Sequence, residues 1–422
     1  MKRIYMDANA TTRLDAAVFE AMRPWLLENF GNASSVHYHG RQSRGAVEQA
    51  RGHVAAMLGC NRDEVVFTSG GTEGDNLALF GLIRPGDHLI TSSIEHHAVL
   101  HAAEQLQKRG IDVTFLPVGS GCAKGSNACI VDPDDLRRAI RPDTRLISIM
   151  MANNETGTIQ PLEEIGKIAA EADVYFHTDA VQAGGKLPID VNRIGCDLLT
   201  IAAHKMYGPQ GVGALYVRRG TPLEPLFFGG SHERQRRAGT ENVAAIVGLG
   251  KAAELALKSV GREADRGAQT EPSDALFKPF SGLSEIATLR DRLESEILQR
   301  VEDCGVNAGA GARVPNTTNL WFDHLDGEAL FIALDLKGLA VSGGSACASG
   351  AAEPSHVLIA MGLPKERARA SLRFSLTKDA TAEEVDAAVD MIVSTVERLR
   401  EISPSSRNAA SAVASREEVP SL

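Results

Sequence analysis

The sequence has few aromatic residues and no excess of positive charge. Aromatic side chains make up 5% of its 422 residues, and 44 lysines and arginines stand against 54 aspartates and glutamates, which gives a net charge of -10. An acidic chain repels nucleic acid at long range, so a general nucleic-acid binder is not expected. The hydrophobic fraction of 43% is that of an ordinary globular chain, which excludes a collagen, a coiled coil or a fully disordered protein.

Long apolar segments are also missing. No uninterrupted apolar run approaches the ~18 residues that a membrane helix needs, and the first residues lack a basic flank followed by an apolar stretch. We therefore expect a cytoplasmic protein with no membrane partner. At roughly 100 to 200 residues per domain, the length predicts two or three domains.

The cysteines form no recognisable framework. None of the six has CxxC spacing or a matching histidine pair, so neither a zinc site, a permanent metal site nor a disulfide scaffold is expected. Cys60 and Cys196 are typical of packed core cysteines, whereas Cys122 and Cys129 fall in a stretch typical of a variable loop.

From residue 16 to about residue 217, helical patterns alternate with short apolar runs. Residues 41–58 predict one helix, because Val47, Val54 and Leu58 share a face. This alternation predicts βαβ units and a mostly parallel central sheet in an α/β domain. Apolar runs typical of buried strands lie at residues 64–69, 88–92, 113–117, 146–151, 174–178 and 198–202.

The second half of the chain changes in character. Residues 259–284 are polar and interrupted by glycine and proline, which is typical of a linker or insertion. A second domain is expected to follow, and its last helix begins at Thr381, which can form a capping box with Glu384. The serine- and alanine-rich residues 403–422 are predicted to be a disordered tail.

Three local patterns carry chemistry. Residues 65–73 (VVFTSGGTE) read as a strand, a glycine turn and a helix start, where backbone N–H groups can bind a phosphate. Asp179 ends an apolar strand, where it can pair with a cationic ring nitrogen or cap a helix. Lys205 follows another strand, where a desolvated amine can form a Schiff base, or it is a surface lysine. Together the three match the phosphate, ring and aldehyde of pyridoxal phosphate.

With further motifs in the same order, the chain resembles the cysteine desulfurases of the NifS/IscS group, within the fold-type-I pyridoxal-phosphate enzymes. The resemblance implies an α/β fold in which a large cofactor-binding domain (16–258) joins a small α+β domain (1–15 and 285–402). It covers residues 2 to about 400 through YMDANATT (5–12), GNASSVH (31–37), the glycine turn, EHHAV (95–99), NNETG (153–157), the lysine loop, RRAGTEN (236–242), SAC (345–347) and RFS (373–375).

The resemblance implies roles around the cofactor ring. Lys205 would bind the cofactor aldehyde covalently and later move a proton. Asp179 would keep the ring nitrogen protonated, and Gln182 would hydrogen-bond the ring hydroxyl. His96 would stack on the ring face as a catalytic residue, although only one of His96 and His97 can do so.

The same resemblance places the phosphate and the substrate. Gly71, Thr72 and His204 would hold the phosphate, with Thr240 contributed by the second subunit of a homodimer. Asn154 would contact both cofactor and substrate. In the substrate site, the guanidinium fork of Arg373 suits a carboxylate.

Residues 342–353 are almost all small, which predicts a mobile exposed loop around Cys347. The resemblance implies that Cys347 is a thiolate nucleophile that takes sulfur from L-cysteine, leaving L-alanine and a persulfide. The persulfide would pass to an iron-sulfur scaffold or to another sulfur-acceptor protein. Cys347 would then touch a nascent iron-sulfur cluster only transiently.

Some departures and alternatives stay open. Ala202 stands where many relatives have a phosphate-binding serine, and Ala33 stands where a proline is common. Within the same chemistry, a selenocysteine lyase or an aminotransferase is an alternative, although the latter needs no loop cysteine. Outside it, a sulfur-relay subunit without cofactor and a plain nucleotide-binding protein remain, the last disfavoured because neither nucleotide fingerprint is present.

Overall fold

The computed structural model describes residues 3–119, 129–260, 281–343 and 354–402. Cys347, the predicted tail and most of the predicted linker lie outside these residues. The helices of the described ranges are α1 (Ala16–Leu27), α2 (Tyr38–Leu58), α3 (Gly71–Leu82), α4 (His97–Lys108), α5 (Pro133–Ala139), α6 (Leu162–Glu171), α7 (Val191–Ile194), α8 (Val243–Val260), α9 (Ser281–Arg300), α10 (Gly327–Leu336), α11 (His356–Ala360), α12 (Lys365–Arg369) and α13 (Ala382–Ile402). The strands are β1 (Ile4–Tyr5), β2 (Val65–Thr68), β3 (His88–Ser92), β4 (Asp112–Leu116), β5 (Thr144–Ser148), β6 (Tyr175–Asp179), β7 (Leu198–Ala202), β8 (Gly213–Val217), β9 (Cys304–Val306), β10 (Thr317–Phe322), β11 (Leu339–Ala340), β12 (Ser342–Gly343) and β13 (Ser371–Ser375).

A mostly parallel sheet forms the centre of the fold, as expected. Its strands lie in the order β2-β8-β7-β6-β5-β3-β4, and only β8 runs antiparallel to its neighbours β2 and β7 among these described strands. Each predicted strand is present within two or three residues of its expected bounds. β8 was not among the predicted strands, although residues 214–217 (ALYV) form a short apolar run.

Helices cover both faces of this sheet, which explains why its strands are apolar throughout. Val66, Leu89 and Leu146 pack with α3 and α4 on one face. The neighbouring residues Phe67 and Ile90 point to the other face, into a core with α2, α6 and α8. Successive side chains of a strand point to opposite faces, so strands buried on both sides need unbroken apolar runs.

A second hydrophobic core lies among α9, α10, α13 and an antiparallel sheet of order β12-β13-β10-β9. The N-terminal segment joins it, since Ile4 and Met6 are buried there and β1 pairs with β11. Thr381 Oγ1 accepts a bond from Glu384 N at 3.3 Å just before α13, as the capping pattern predicts. The division into a large domain (16–258) and a small one (1–15 and 285–402) remains our proposal, supported by these two cores.

One cysteine differs from expectation. Cys129 is fully buried rather than part of a loose loop, because β-bridge pairing of Val118 with Val131 holds this stretch against the protein. Among the helices of the described ranges, none is both long and apolar enough to cross a bilayer.

Candidate active site

The carboxyl ends of the parallel strands bring the predicted residues to one edge of the sheet. Asp179 ends β6, and Lys205 follows β7 in a short 3₁₀ turn, Ala203–Lys205. His96 follows β3 directly before α4, and Asn154 lies in the loop after β5. Parallel strands present their functional loops at this edge, so distant residues of the sequence meet there.

Lys205 lies against the N-terminal segment. Its Nζ donates to the carbonyl oxygens of Asn9 at 2.6 Å and Ala10 at 2.8 Å. The neighbouring His204 holds the same segment, because Thr12 N and Thr12 Oγ1 both donate to its carbonyl oxygen at 2.9 Å. The amine is therefore held in a defined place by backbone oxygens.

Asp179 is buried, with 5% of its surface exposed. Its Oδ1 accepts a hydrogen bond from Val181 N at 2.8 Å. Burial raises the pKa of Asp179 to about 6, although the Val181 bond and the charge of Lys205 act in the opposite direction. A cationic partner in the site would keep this carboxylate ionised at neutral pH.

His96, rather than His97, faces this carboxylate. A ring nitrogen of His96 and carboxylate oxygens of Asp75 and Asp179 all lie within 4.8 Å of one another. His97 instead stacks on the ring of His101, at 4.6 Å between ring centres, and the ring of His356 lies tilted against it at 4.7 Å.

The His96 ring is neutral at physiological pH. Desolvation by the surrounding site, followed by the charge of Lys205, lowers its pKa to about 4, even though its side chain is still open to solvent. Its Nδ1 accepts a bond from Ala98 N at 3.1 Å, which leaves the proton on Nε2. A neutral, fixed ring of this kind can stack on an aromatic cofactor without adding a charge.

The predicted phosphate cradle is the N-terminus of α3. No side chain caps this terminus within the described residues, and Gly70 in front of it has φ of 157°. A Cβ on Gly71 would lie 2.8 Å from Val181 Cγ2, so only glycine leaves the turn its present shape. Thr72 follows in the first turn of the helix, and His204 lies half-buried beside Lys205. Helix N-termini bind anions through their N–H groups.

Thr240 lies in a separate stretch near this terminus. Glu73 of α3 accepts a bond from Arg237 Nε at 2.9 Å, which places Arg237 beside this helix. Thr240 itself is exposed on the surface of the chain.

Asn154 and Arg373 contact each other at the substrate end. Arg373 Nη1 donates to the carbonyl oxygen of Asn154 at 3.0 Å, and Nη2 to Asp7 Oδ1 at 2.7 Å. Asn154 Oδ1 and Arg373 Nε are both buried, and neither has a hydrogen-bond partner among the described residues. Unpaired buried polar groups are costly, so an acceptor and a donor left open side by side favour a polar ligand here.

Sequence reasoning missed several buried groups of this site. Glu95 is fully buried beneath His96, and burial raises its pKa to about 8. Burial, together with Asp179, raises the pKa of Asp75 well above its usual range. Asn9 and Lys186 were also unassigned, although Asn9 stands inside the first motif of the resemblance.

The fully buried cysteines among the described residues are unsuited to the nucleophilic role that the resemblance assigns to Cys347. Burial raises the pKa of Cys129 to about 12 and that of Cys196 still further. Such thiols stay protonated at neutral pH, so neither can serve as a thiolate nucleophile. Cys347 lies outside the described residues, and its role stays a prediction.

The chain matches one protein family over most of its length. The family model of class-V aminotransferases matches residues 4–388. A cysteine desulfurase IscS of Dictyoglomus turgidum is 47% identical over 409 residues, covering 96% of this chain and 97% of that protein.

Two solved structures are similar as well. A NifS-like protein superimposes with a TM-score of 0.81 at 34% identity, covering 94% of this chain and 100% of that one. The protein SspA, solved in complex with cysteine, gives a TM-score of 0.73 at 36% identity, covering 88% of this chain and 98% of SspA. The chain belongs to the class-V aminotransferase family and, within it, to the cysteine desulfurases of the NifS/IscS group.

Proposed function

We propose that this chain removes sulfur from L-cysteine with the help of pyridoxal phosphate, giving L-alanine and a persulfide on Cys347. The observation that carries the proposal is that Lys205, Asp179 and Asn154 lie at one edge of the central sheet, where Arg373 of β13 contacts Asn154. The similarity to desulfurases over nearly the whole chain supports it.

The residues of the site fit this cofactor. The uncapped α3 terminus at Gly71 and Thr72, with the half-buried His204, suits a phosphate group. Asp179 suits a protonated ring nitrogen, and the neutral His96 ring suits the face of the pyridine. Gln182 donates to Asn9 O at 3.0 Å through Nε2, whose second N–H can bond the ring hydroxyl. Ala202 supplies no hydroxyl, so the backbone and His204 carry the phosphate contacts that a serine would share.

When bound, pyridoxal phosphate withdraws electrons from the substrate and so weakens its C–S bond. Lys205 supplies the amine that attaches the cofactor and that then takes and returns a proton at the substrate carbon. The carbonyl oxygens of Asn9 and Ala10 hold its Nζ for that work. Proton transfer needs such a base fixed within hydrogen-bonding reach of the carbon.

Substrate binding falls to Arg373 and Asn154. The guanidinium is buried, with 9% of the residue exposed, so its charge attracts a carboxylate strongly in this low-dielectric place. Its unpaired Nε offers a donor to the carboxylate of L-cysteine, and Asn154 Oδ1 offers an acceptor to an N–H of the substrate nitrogen. The first contact orients the substrate by its carboxylate and the second by its nitrogen.

Sulfur transfer requires a nucleophile that can become a thiolate. The sulfur of L-cysteine forms a bond to Cys347 Sγ while its bond to Cβ breaks. Carbon keeps the electron pair and gains a proton, so L-alanine leaves and the sulfur remains on Cys347 as a persulfide. The persulfide then passes to an iron-sulfur scaffold or another sulfur-acceptor protein, with at most transient contact between Cys347 and a nascent cluster.

The enzyme acts as a homodimer in this proposal. Large apolar side chains on and after α1 are exposed, among them Leu27 at 73% and Phe30 at 82%, as is Phe228 at 89%. Burying such side chains against a second copy would remove apolar surface from water. A second copy would cover them and bring its exposed Thr240 to the phosphate.

The absorbance spectrum of the purified protein, with alanine and sulfide assayed after L-cysteine is added, tests the proposal. We expect a visible band of lysine-bound cofactor and alanine from the wild type, but no alanine from Cys347→Ala. Cys60→Ala is the matched control and should keep full activity. Alanine production by Cys347→Ala at the wild-type rate would contradict the assignment of Cys347 as the nucleophile. Absence of the band after cofactor is added would contradict the whole proposal.

A further inference from the structure

Lys186 is a buried amine that the proposed chemistry does not use. It follows Gly185, whose φ of 71° turns the chain back toward the site, and 8% of Lys186 is exposed. No ion pair among the described residues includes it. Its Nζ instead donates to two amide oxygens, Gln182 Oε1 at 2.8 Å and Asn9 Oδ1 at 3.0 Å.

Asn9 links Lys186 to the reactive amine. Its backbone oxygen accepts from both Lys205 Nζ, at 2.6 Å, and Gln182 Nε2, at 3.0 Å. Its side-chain amide donates to Thr317 Oγ1 at 2.9 Å, and 1% of the residue is exposed. Lys186, Asn9 and Gln182 therefore form one closed hydrogen-bonded group beside Lys205.

Lysine donors and backbone acceptors together fix which way both amides point, because Asn9 Nδ2 also donates to the carbonyl oxygen of Asn154 at 3.2 Å. A side-chain amide can flip by half a turn, which exchanges its oxygen and its NH₂. Because a lysine amine here offers N–H donors to both contacts, the oxygens of Gln182 and Asn9 must face it. The NH₂ group of Gln182 is then turned toward Asn9 O and toward the cofactor side.

This arrangement does not depend on the charge of Lys186. Burial lowers the pKa of Lys186 well below its usual value, and the charges of Lys205 and Arg373 lower it further. A neutral amine still carries two N–H groups, which is the number that the two oxygens require.

We propose that Lys186 is a positioning residue that fixes the amide of Gln182 as a donor toward the cofactor ring oxygen. This inference rests on the proposed function. Without Lys186, Gln182 Oε1 loses its donor, and only the bond from Nε2 to Asn9 O still holds the amide, so its second N–H is less well fixed toward the ring oxygen.

A double-mutant cycle on cofactor affinity tests this role. The dissociation constant of pyridoxal phosphate is measured by absorbance titration for wild type, Lys186→Met, Gln182→Leu and the double variant. Methionine has the room it needs, because Lys186 borders a cavity of about 90 Å³ lined also by Leu376. Lys378→Met is the matched control, since Lys378 borders the same cavity but bonds Asp15 and neither amide.

We expect each single variant to weaken binding about tenfold, as loss of one buried hydrogen bond does, and the double variant to bind no more weakly than either. Lys378→Met should bind like the wild type. A merely structural role would instead give effects that multiply in the double variant, and that result would overturn the inference, as would an unchanged constant in Lys186→Met.

The experiment also distinguishes a variant that fails to fold from a failure of the proposed function. If Lys186→Met does not fold, as judged by circular dichroism, the cycle is run with Lys186→Gln, which keeps one donor and should give a smaller loss that is again absent in the Gln182→Leu background. If the wild type itself binds no cofactor, the proposed function fails and the inference fails with it. Binding by the wild type with multiplying effects overturns the inference alone.

Discussion

Nη2 of Arg373 lies 2.7 Å from Oδ1 of Asp7, so the last strand of the small sheet is tied by an ion pair to the N-terminal segment. This pair aims a buried guanidinium whose Nε still lacks a partner among the described residues. Because Asp7 already neutralises the guanidinium on one side, burying it costs less free energy. Its opposite side is oriented to bind a second anion.

Replacement of Arg373 should therefore act on substrate binding. We expect Arg373→Gln to raise KM for L-cysteine at least about tenfold, because a buried, charge-assisted contact to the carboxylate is lost, with a smaller change in kcat. Steady-state alanine production measures both constants. Arg313→Gln is the control, since Arg313 is equally buried and pairs with Glu294 away from the site. A KM equal to that of the wild type in Arg373→Gln would remove this residue from the substrate site.

A methyl group at Gly71 should weaken the phosphate cradle. Its Cβ would lie 2.8 Å from Val181 Cγ2, so the α3 terminus or Val181 must shift. We expect Gly71→Ala to bind pyridoxal phosphate about tenfold more weakly. The added substitution Val181→Ala should restore most of the affinity, since it removes the clashing methyl group.

Gly45 offers the matched control for this prediction. It lies in α2 with nothing within 4 Å of an added Cβ, so Gly45→Ala should leave cofactor affinity unchanged and stabilise the chain by up to about 1 kcal/mol. Failure of Val181→Ala to rescue Gly71→Ala would show that the clash is not the cause.

Glu95 should make the chain less stable as the pH rises. Burial raises its pKa from 4.5 to about 8, so the folded chain holds this proton more tightly than the unfolded chain does. The resulting stability is complete below pH 4.5 and is lost as the pH approaches 8. In Glu95→Gln, which cannot ionise, the free energy of unfolding should fall less over this range, as urea titrations at several pH values would measure.

Glu254 is the control for the pH experiment. Its hydrogen bonds to Lys258 and Lys251 lower its pKa to about 2, so it is ionised throughout the range. Glu254→Gln should therefore keep the wild-type pH slope. A wild-type slope in Glu95→Gln as well would mean that Glu95 is not the titrating group.

Mixed dimers can test whether Thr240 serves the other subunit. Lys205→Ala and Thr240→Ala chains are co-expressed with different tags, and the mixed dimer is isolated. If Thr240 acts across the interface, one of its two sites has both residues intact, and we expect half of the wild-type activity. If Thr240 serves its own chain, that site lacks the threonine and no recovery occurs. Dimers of Lys205→Ala with wild type set the scale for one active site.

The sequence predicted the strands and strand-end residues because their signals are local. The apolar runs before Asp179 and Lys205 are typical of strands that are buried on both faces of a sheet. This pattern is visible without knowledge of the rest of the chain. Gly71 was recognised for the same reason, since a glycine turn between a strand and a helix is visible within a few residues.

Groups whose burial depends on distant partners could not be predicted in this way. Lys186 follows two glycines, a pattern typical of an exposed turn. Its Nζ is nevertheless bonded to Asn9, which lies 177 residues away in the sequence. Glu95 is indistinguishable in sequence from a surface acid until His356 and β5 close around it. Their pKa values follow from that closure, so the pattern of the sequence carries no trace of them.

The N-terminal segment also constrains when the site can exist. Asn9 N donates to the hydroxyl of Ser375, a contact that spans 366 residues. During synthesis the N-terminal segment must wait for β13 before Asn9 is held in place against Lys205. Contacts of such long range form late in folding, so this side of the site is completed only after Ser375 has been translated.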